Sequence, residues 1–90
     1  MSSHELKTWP ESFSPVMRGE KKAEHRLDDR GYAVGDELLL REWVPGLCEY
    51  TGRELTCRVT HVLRGPEFGV REGWVILSVE TRGFADRGGK

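Results

Sequence analysis

Between Glu54 and Leu63 the side chains alternate, with Leu55, Cys57, Val59 and His61 on one parity and Thr56, Arg58, Thr60 and Val62 on the other. A period of two predicts a strand. Glu37–Trp43, with three consecutive leucines, predicts a second strand apolar enough to be central. Trp74–Glu80 predicts the last one. Weaker alternation marks a short first strand over His4–Trp9, with Leu6 inward, and another over Lys22–Leu27. One segment has a different period: Phe13, Val16 and Met17 recur at three and four residues, the apolar stripe of a helix. Pro10 suits its first position and Glu11 complements the positive end of its dipole. Pro15 limits this helix to about two turns, and Gly19 ends it, since glycine accepts the left-handed backbone of a helix terminus.

Turn residues separate these segments. Asp28–Gly31 makes a turn, and Tyr32–Asp36 reads as a loop that drops Val34 into the core. Pro45-Gly46 breaks the leucine-rich strand, Tyr50-Thr51-Gly52-Arg53 reads as a hairpin turn, and Arg64–Glu67 turns the chain again. About five short strands, one short helix and glycine-rich turns predict an α+β domain built as a small, mostly antiparallel β-barrel. Closing the barrel would remove exposed sheet edges. Periodicity by itself does not separate this from another small α+β fold. The domain is expected over residues 1–80, with 81–90, which holds Gly83, Gly88 and Gly89, as a flexible C-terminal tail.

Composition narrows the function more than the fold. Ninety residues make one domain with a thin core, burying roughly 60–65% of the unfolded surface. That leaves room for one pocket and not for separate substrate and cofactor domains. No apolar run approaches the roughly 20 residues of a membrane span. The start, Met1-Ser2-Ser3-His4-Glu5, lacks the features of a signal peptide. A cytoplasmic protein is therefore expected. Cys48 and Cys57, nine positions apart, match no common zinc spacing and read as reduced thiols. His4, His25 and His61 have no ligand spacing either, so no metal and no cofactor is expected. A net charge of −1 excludes strong, indiscriminate nucleic-acid binding but leaves room for a local site.

The densest polar block is Gly19-Glu20-Lys21-Lys22-Ala23-Glu24-His25-Arg26, at the predicted corner between helix and strand. It reads Gly-x-Lys-x-x-Glu-x-Arg and resembles the signature of the ASCH domains, a branch of the PUA-like barrels. Four further blocks resemble an uncharacterised bacterial and phage branch of that family. They are His4–Pro10, Val34-Gly35-Asp36, Tyr50–Glu54 and Gly65-x-x-Phe68-Gly69, so that the likeness runs from about His4 to Glu80. The resemblance implies a PUA-like barrel with the N-terminal helix beside a cleft, and RNA binding as the activity. Some small relatives in the family hydrolyse N4-acetylcytidine.

In an ideal strand Glu24 and Arg26 share a face with Lys22. Lys21 reaches the same cleft only if the strand begins after it. The expected site is an RNA- or nucleotide-binding cleft formed by Lys21, Glu24 and Arg26, with Lys7 as a phosphate contact and Trp9 as a stacking surface. An arginine fork holds an oxyanion or base edge, and Glu24 would accept from an exocyclic amine. The plainer reading of the same residues is a surface pairing of Glu24 with Arg26 or Lys22, worth under about 1 kcal/mol; the resemblance favours the site. Two alternatives stand beside it. The first is an amidohydrolase acting on N4-acetylcytidine-like nucleosides, with Lys21 and Glu24 catalytic. The deacetylating relatives carry threonine where Glu24 stands, and the resemblance implies a distant carboxylate, for which Glu80 is available. The second is a protein-interaction module using the Trp43–Tyr50 loop, with Val44, Leu47 and Cys48 exposed. The protein is expected to be a monomer.

Overall fold

A computed structural model describes residues 1–88. β1 (Ser3–Thr8) turns Leu6 and Thr8 inward, and α1 (Pro10–Met17) follows after the single residue Trp9. Pro10 opens the helix, and the amides of Ser12 and Phe13 donate to the Trp9 carbonyl at 2.9 and 2.8 Å. At the other end Gly19, with φ 77°, donates to Val16 O at 3.0 Å, and Glu20 donates to Pro15 O at 2.9 Å. These two bonds form a Schellman close, which needs the left-handed residue that glycine supplies. Pro15 lies inside the helix, which stops two residues later. The Lys21 amide also donates to Pro15 O, at 3.0 Å, so the helix-to-strand corner is fixed.

β2 (Ala23–Leu27) leaves that corner, and a loop leads to β3 (Glu37–Val44), β4 (Glu49–Arg64) and β5 (Trp74–Asp86), with a 3₁₀ turn at Glu67–Gly69 between the last two. The sheet order is β1-β3-β4-β5-β2. β1 lies parallel to β3, with Leu6 opposite Leu40, while the other three pairings are antiparallel. The parallel pair follows from the long connection through α1 and β2, since parallel neighbours require a crossover. The inner face collects Leu6, Leu38, Leu40, Leu55, Cys57, Val59, Val75, Leu77 and Val79, and Phe13, Val16 and Tyr32 close it over. The sheet is curled into a half-barrel with α1 across its open side, a small α+β fold as expected. Among the described residues no helix is long and apolar enough to cross a membrane.

The structure corrects five expectations. The sheet does not close into a ring: β1 and β2 are its two edges. Arg26 Nη2 donates to Lys7 O and Arg30 Nη1 to Glu5 O, both at 3.2 Å, so arginine side chains bridge the seam in place of a ladder. Val34 is 56% exposed, and Tyr32 takes the core position instead. The buried Asp36 carboxylate holds the loop in that turn, accepting from the Ser2 and Ala33 amides at 3.0 Å and pairing with His4 Nε2 at 2.9 Å. The hairpin turn is Pro45–Cys48, while Tyr50–Arg53 belongs to β4. Gly52 (φ 97°) serves a close approach there: a Cβ on it would lie 2.0 Å from Gly88 N. The pairing register shifts between Val59 and His61, so His61 turns outward and Val62 packs against the core. Finally, Thr81–Asp86, expected in the tail, continue β5 and pair with Arg53–Cys57 of β4. Arg87 and Gly88 follow the strand without belonging to it, and the last two residues of the expected tail, Gly89 and Lys90, lie outside the described residues.

Candidate ligand site at the seam between the sheet edges

Glu24 and Arg26 lie two apart on β2, so both turn inward, as the strand period requires. Glu24 is only 3% exposed, and Arg26 Nε donates to its Oε1 at 3.1 Å. The far end of the same guanidinium donates from Nη2 to Thr8 Oγ1 at 3.0 Å and to Lys7 O across the seam. Arg26 is therefore both part of the polar cluster and a clasp between the edges. Glu24 Oε2 is buried and meets no hydrogen-bond donor among the described residues. A carboxylate is acceptor-only, and leaving a buried acceptor unmade costs about 1–3 kcal/mol.

Above Arg26 opens a recess of about 330 Å³ lined by Lys7, Thr8, Trp9, Glu11, Ser12 and Arg26. Trp9 caps the N-terminus of α1 and leaves 54% of its surface exposed beside the recess. Lys21 precedes β2, as required for it to approach this side, and its Nζ lies 3.4 Å from Ser12 Oγ. Of the five expected residues, Lys7, Trp9 and Arg26 share the recess, and Glu24 holds Arg26 from beneath. Lys21 reaches the recess through Ser12 and itself lines a second one, of about 300 Å³, with Gly19, Lys22, Val79, Glu80 and Thr81. Glu80 is exposed there and pairs with Arg82 at 3.1 Å.

Cys57, on β4, stands opposite Thr81, one of the residues that line the second recess. Burial pushes its thiol up to about 11, with the Thr81 hydrogen bond opposing and the nearby Glu24 charge adding to the rise. It is a thiol at neutral pH and no nucleophile. Cys48 is free and exposed on the β3–β4 hairpin. Among the described residues no three His, Cys, Asp or Glu side chains gather as metal ligands: His4 pairs with Asp36, His25 packs on Trp74 at 5.0 Å, and His61 faces outward.

Sequence reasoning missed Thr8, Ser12 and Glu11 in the recess. Thr8 was legible, because the alternation that buries Leu6 also buries the next residue of the same parity. A second buried pair was also missed. Glu42, 3% exposed, continues the inward parity of Leu38 and Leu40. Arg53 grips it with Nε and Nη2 at 2.8 and 2.9 Å, and Thr51 Oγ1 donates at 2.8 Å. The Arg53 hydrogen bonds hold the Glu42 carboxyl below the usual range, Thr51 adds to this, and burial opposes it. Arg53 also lies 5.3 Å from the centre of the Phe13 ring, which ties this pair to α1.

Residues 3–79 match a protein family described as a domain of unknown function, DUF3850. The chain belongs to this family. The DUF3850 match contains all five expected site residues and runs from β1 into β5. The chain is also similar to an uncharacterised 12.9 kDa protein from the GpA 3′ region of Escherichia phage P2. The two are 46% identical over 59 residues, 66% of this chain and 52% of the phage protein. The match therefore spans about half of the phage protein's length.

Proposed function

We propose that this DUF3850 domain is an ASCH/PUA-like domain that binds RNA, or a ligand of nucleotide size, in the recess beside α1. The observation that carries the reading is the polar recess beside α1, where Arg26, held from beneath by the buried Glu24, meets Lys7 and the half-exposed Trp9. Arg26 would take a base carbonyl or a phosphate oxygen, with Glu24 orienting its guanidinium from beneath. Trp9 would stack on the base, and Lys7 and Lys21 would meet phosphate. The ASCH resemblance and a curled sheet beside one helix support the same reading. The domain acts as a cytoplasmic monomer and needs no cofactor.

Amide NMR titration with cytidine 5′-monophosphate and with short single-stranded RNA tests this. Shifts should cluster on Lys7–Ser12 and Gly19–Arg26. Arg26→Ala would also strand the buried Glu24 charge, so the variants of choice are Arg26→Lys and the half-exposed Trp9→Ala. Trp9→Ala should weaken binding by about 1–3 kcal/mol. Unchanged affinity in both variants, with folding matched by thermal melting, overturns the assignment. Turnover of N4-acetylcytidine that disappears in Lys21→Ala would replace binding by hydrolysis.

A further inference from the structure

The geometry points to a strand-binding surface that leaves the recess at Lys7 and crosses the outer face of the sheet over Trp43 and Tyr50, so that the ligand is a single-stranded nucleic acid rather than one nucleotide. This rests on the nucleotide reading of the recess and extends it. Lys7 joins the two places. It lines the recess, and its Nζ lies 4.1 Å from the centre of the Trp43 ring on the neighbouring strand. Trp43 stands opposite Tyr50 in the β3–β4 register, their rings edge to face at 4.9 Å. The Arg41 guanidinium lies 3.8 Å from the Tyr50 ring centre. Two aromatic rings, each covered by a cation, thus run outward from the recess towards the Pro45–Cys48 turn.

The charges fit a polyanion. Arg41 pairs with Glu5 at 2.6 Å and with Glu54 at 3.3 Å, and Arg87 pairs with Glu54 at 3.0 Å. Lys7 has no carboxylate partner among the described residues, so this group of three cations and two carboxylates carries one positive charge in excess beside the recess, while Glu11 on the recess wall adds a negative charge on its other side. A flexible lysine over an aromatic face is a replaceable lid. A base stacked on that face gains more than an exposed ammonium does, and the displaced ammonium is then free to meet the phosphate. Single-strand binders combine the same two elements, aromatic platforms and cations that follow the backbone.

Affinities for cytidine 5′-monophosphate and for oligocytidylates of three and six nucleotides, measured by NMR and by tryptophan fluorescence, test the surface. The hexamer should bind about 5- to 100-fold tighter than the mononucleotide, the gain of one stacked base. Trp43→Leu and, independently, the more exposed Tyr50→Leu should lower the hexamer-to-mononucleotide ratio towards one, and ultraviolet cross-linking of the hexamer should reach the Trp43–Tyr50 peptides. A hexamer that binds no tighter than the mononucleotide overturns the surface and leaves the recess standing. So does a gain that survives both substitutions, because the strand then leaves the recess by another path. Binding of neither probe overturns the recess reading and this inference with it. A protein partner recognised through Leu47 at the turn, without any gain from oligonucleotide length, also overturns it.

Discussion

Asp36 shows how much a single residue decides in a domain this small. Its three partners all donate N–H groups: the Ser2 amide to Oδ1, and the Ala33 amide and His4 Nε2 to Oδ2. The Ser2 hydrogen bond, followed by those of His4 and Ala33, holds the carboxyl below its ordinary value against the opposing effect of burial. Glu42 is lowered in the same sense by Arg53. Folded-state values below the unfolded ones mean that both groups stabilise fully above the ordinary carboxylate range. That stabilisation is lost as pH falls through the folded values. Urea denaturation should therefore show stability that is flat near neutrality and declines below about pH 4. Asp36→Asn should cost about 1–3 kcal/mol at pH 7, since the amide nitrogen must face at least one donor. It should also flatten the acid limb. A variant with unchanged stability and an unchanged acid slope would show that the loop holds without this carboxylate. The same logic separates Glu24 from Asp36: both are buried, but Asp36 has its donors in the fold and one oxygen of Glu24 does not.

At the scale of elements, β4 carries the most informative departure from pattern. Its alternation reads cleanly from Leu55 to Val59, and nothing in the residue types announces that the parity reverses at Thr60. A bulge inserts one residue on one strand of a pair, and the residues beyond it exchange faces. His61 and Val62 therefore swap the places their parity predicts. Val62→Ala should cost about 1 kcal/mol in chemical denaturation, while His61→Ala should stay within about 0.5 kcal/mol of the parent. Equal costs would place both side chains on one environment and remove the bulge. β5 makes a related point. Its C-terminal part, with Arg82, Gly83 and Asp86, reads as tail, yet it pairs with β4 up to Asp86, where the Arg87 amide donates to Gly52 O at 2.6 Å. Ladder hydrogen bonds come from the backbone, so a partner strand orders a sequence that has little strand propensity of its own.

The whole molecule carries a net charge of −1, and its candidate site holds only a few cations, Lys7, Lys21 and Arg26. Three phosphate contacts on a single strand release few counterions, so log K against log salt should fall with a slope of about −2. A slope near zero would mean that no phosphate is held. One of −4 or steeper would mean a basic surface elsewhere on the molecule. The shape of the fold accounts for the position of the candidate recess. A curled sheet with two unpaired edges leaves backbone acceptors along β1, and the arginines that satisfy them from the β2 side bring polar groups to the open seam of the half-barrel.

Most elements were legible in the sequence because each follows from local chemistry. The period of two gave the strands, the spacing of Phe13, Val16 and Met17 gave the helix, and proline and glycine gave its limits. The same local rules placed Glu24 and Arg26 on one face, with Lys21 on the corner before them. Tertiary structure decided what depends on partners distant in the chain. It set the parallel pairing of β1 with β3, the open seam clasped by Arg26 and Arg30, and the burial of Tyr32 in place of Val34. It also set the bulge at Thr60 and the Glu42–Arg53 pair. Each of these joins backbone or side-chain groups from separate elements, so it exists only once the sheet has curled and brought them together. The burial of Glu24 belongs with them: a carboxylate is visible in the sequence, but only the packing around it determines which of its oxygens meets a donor in the fold.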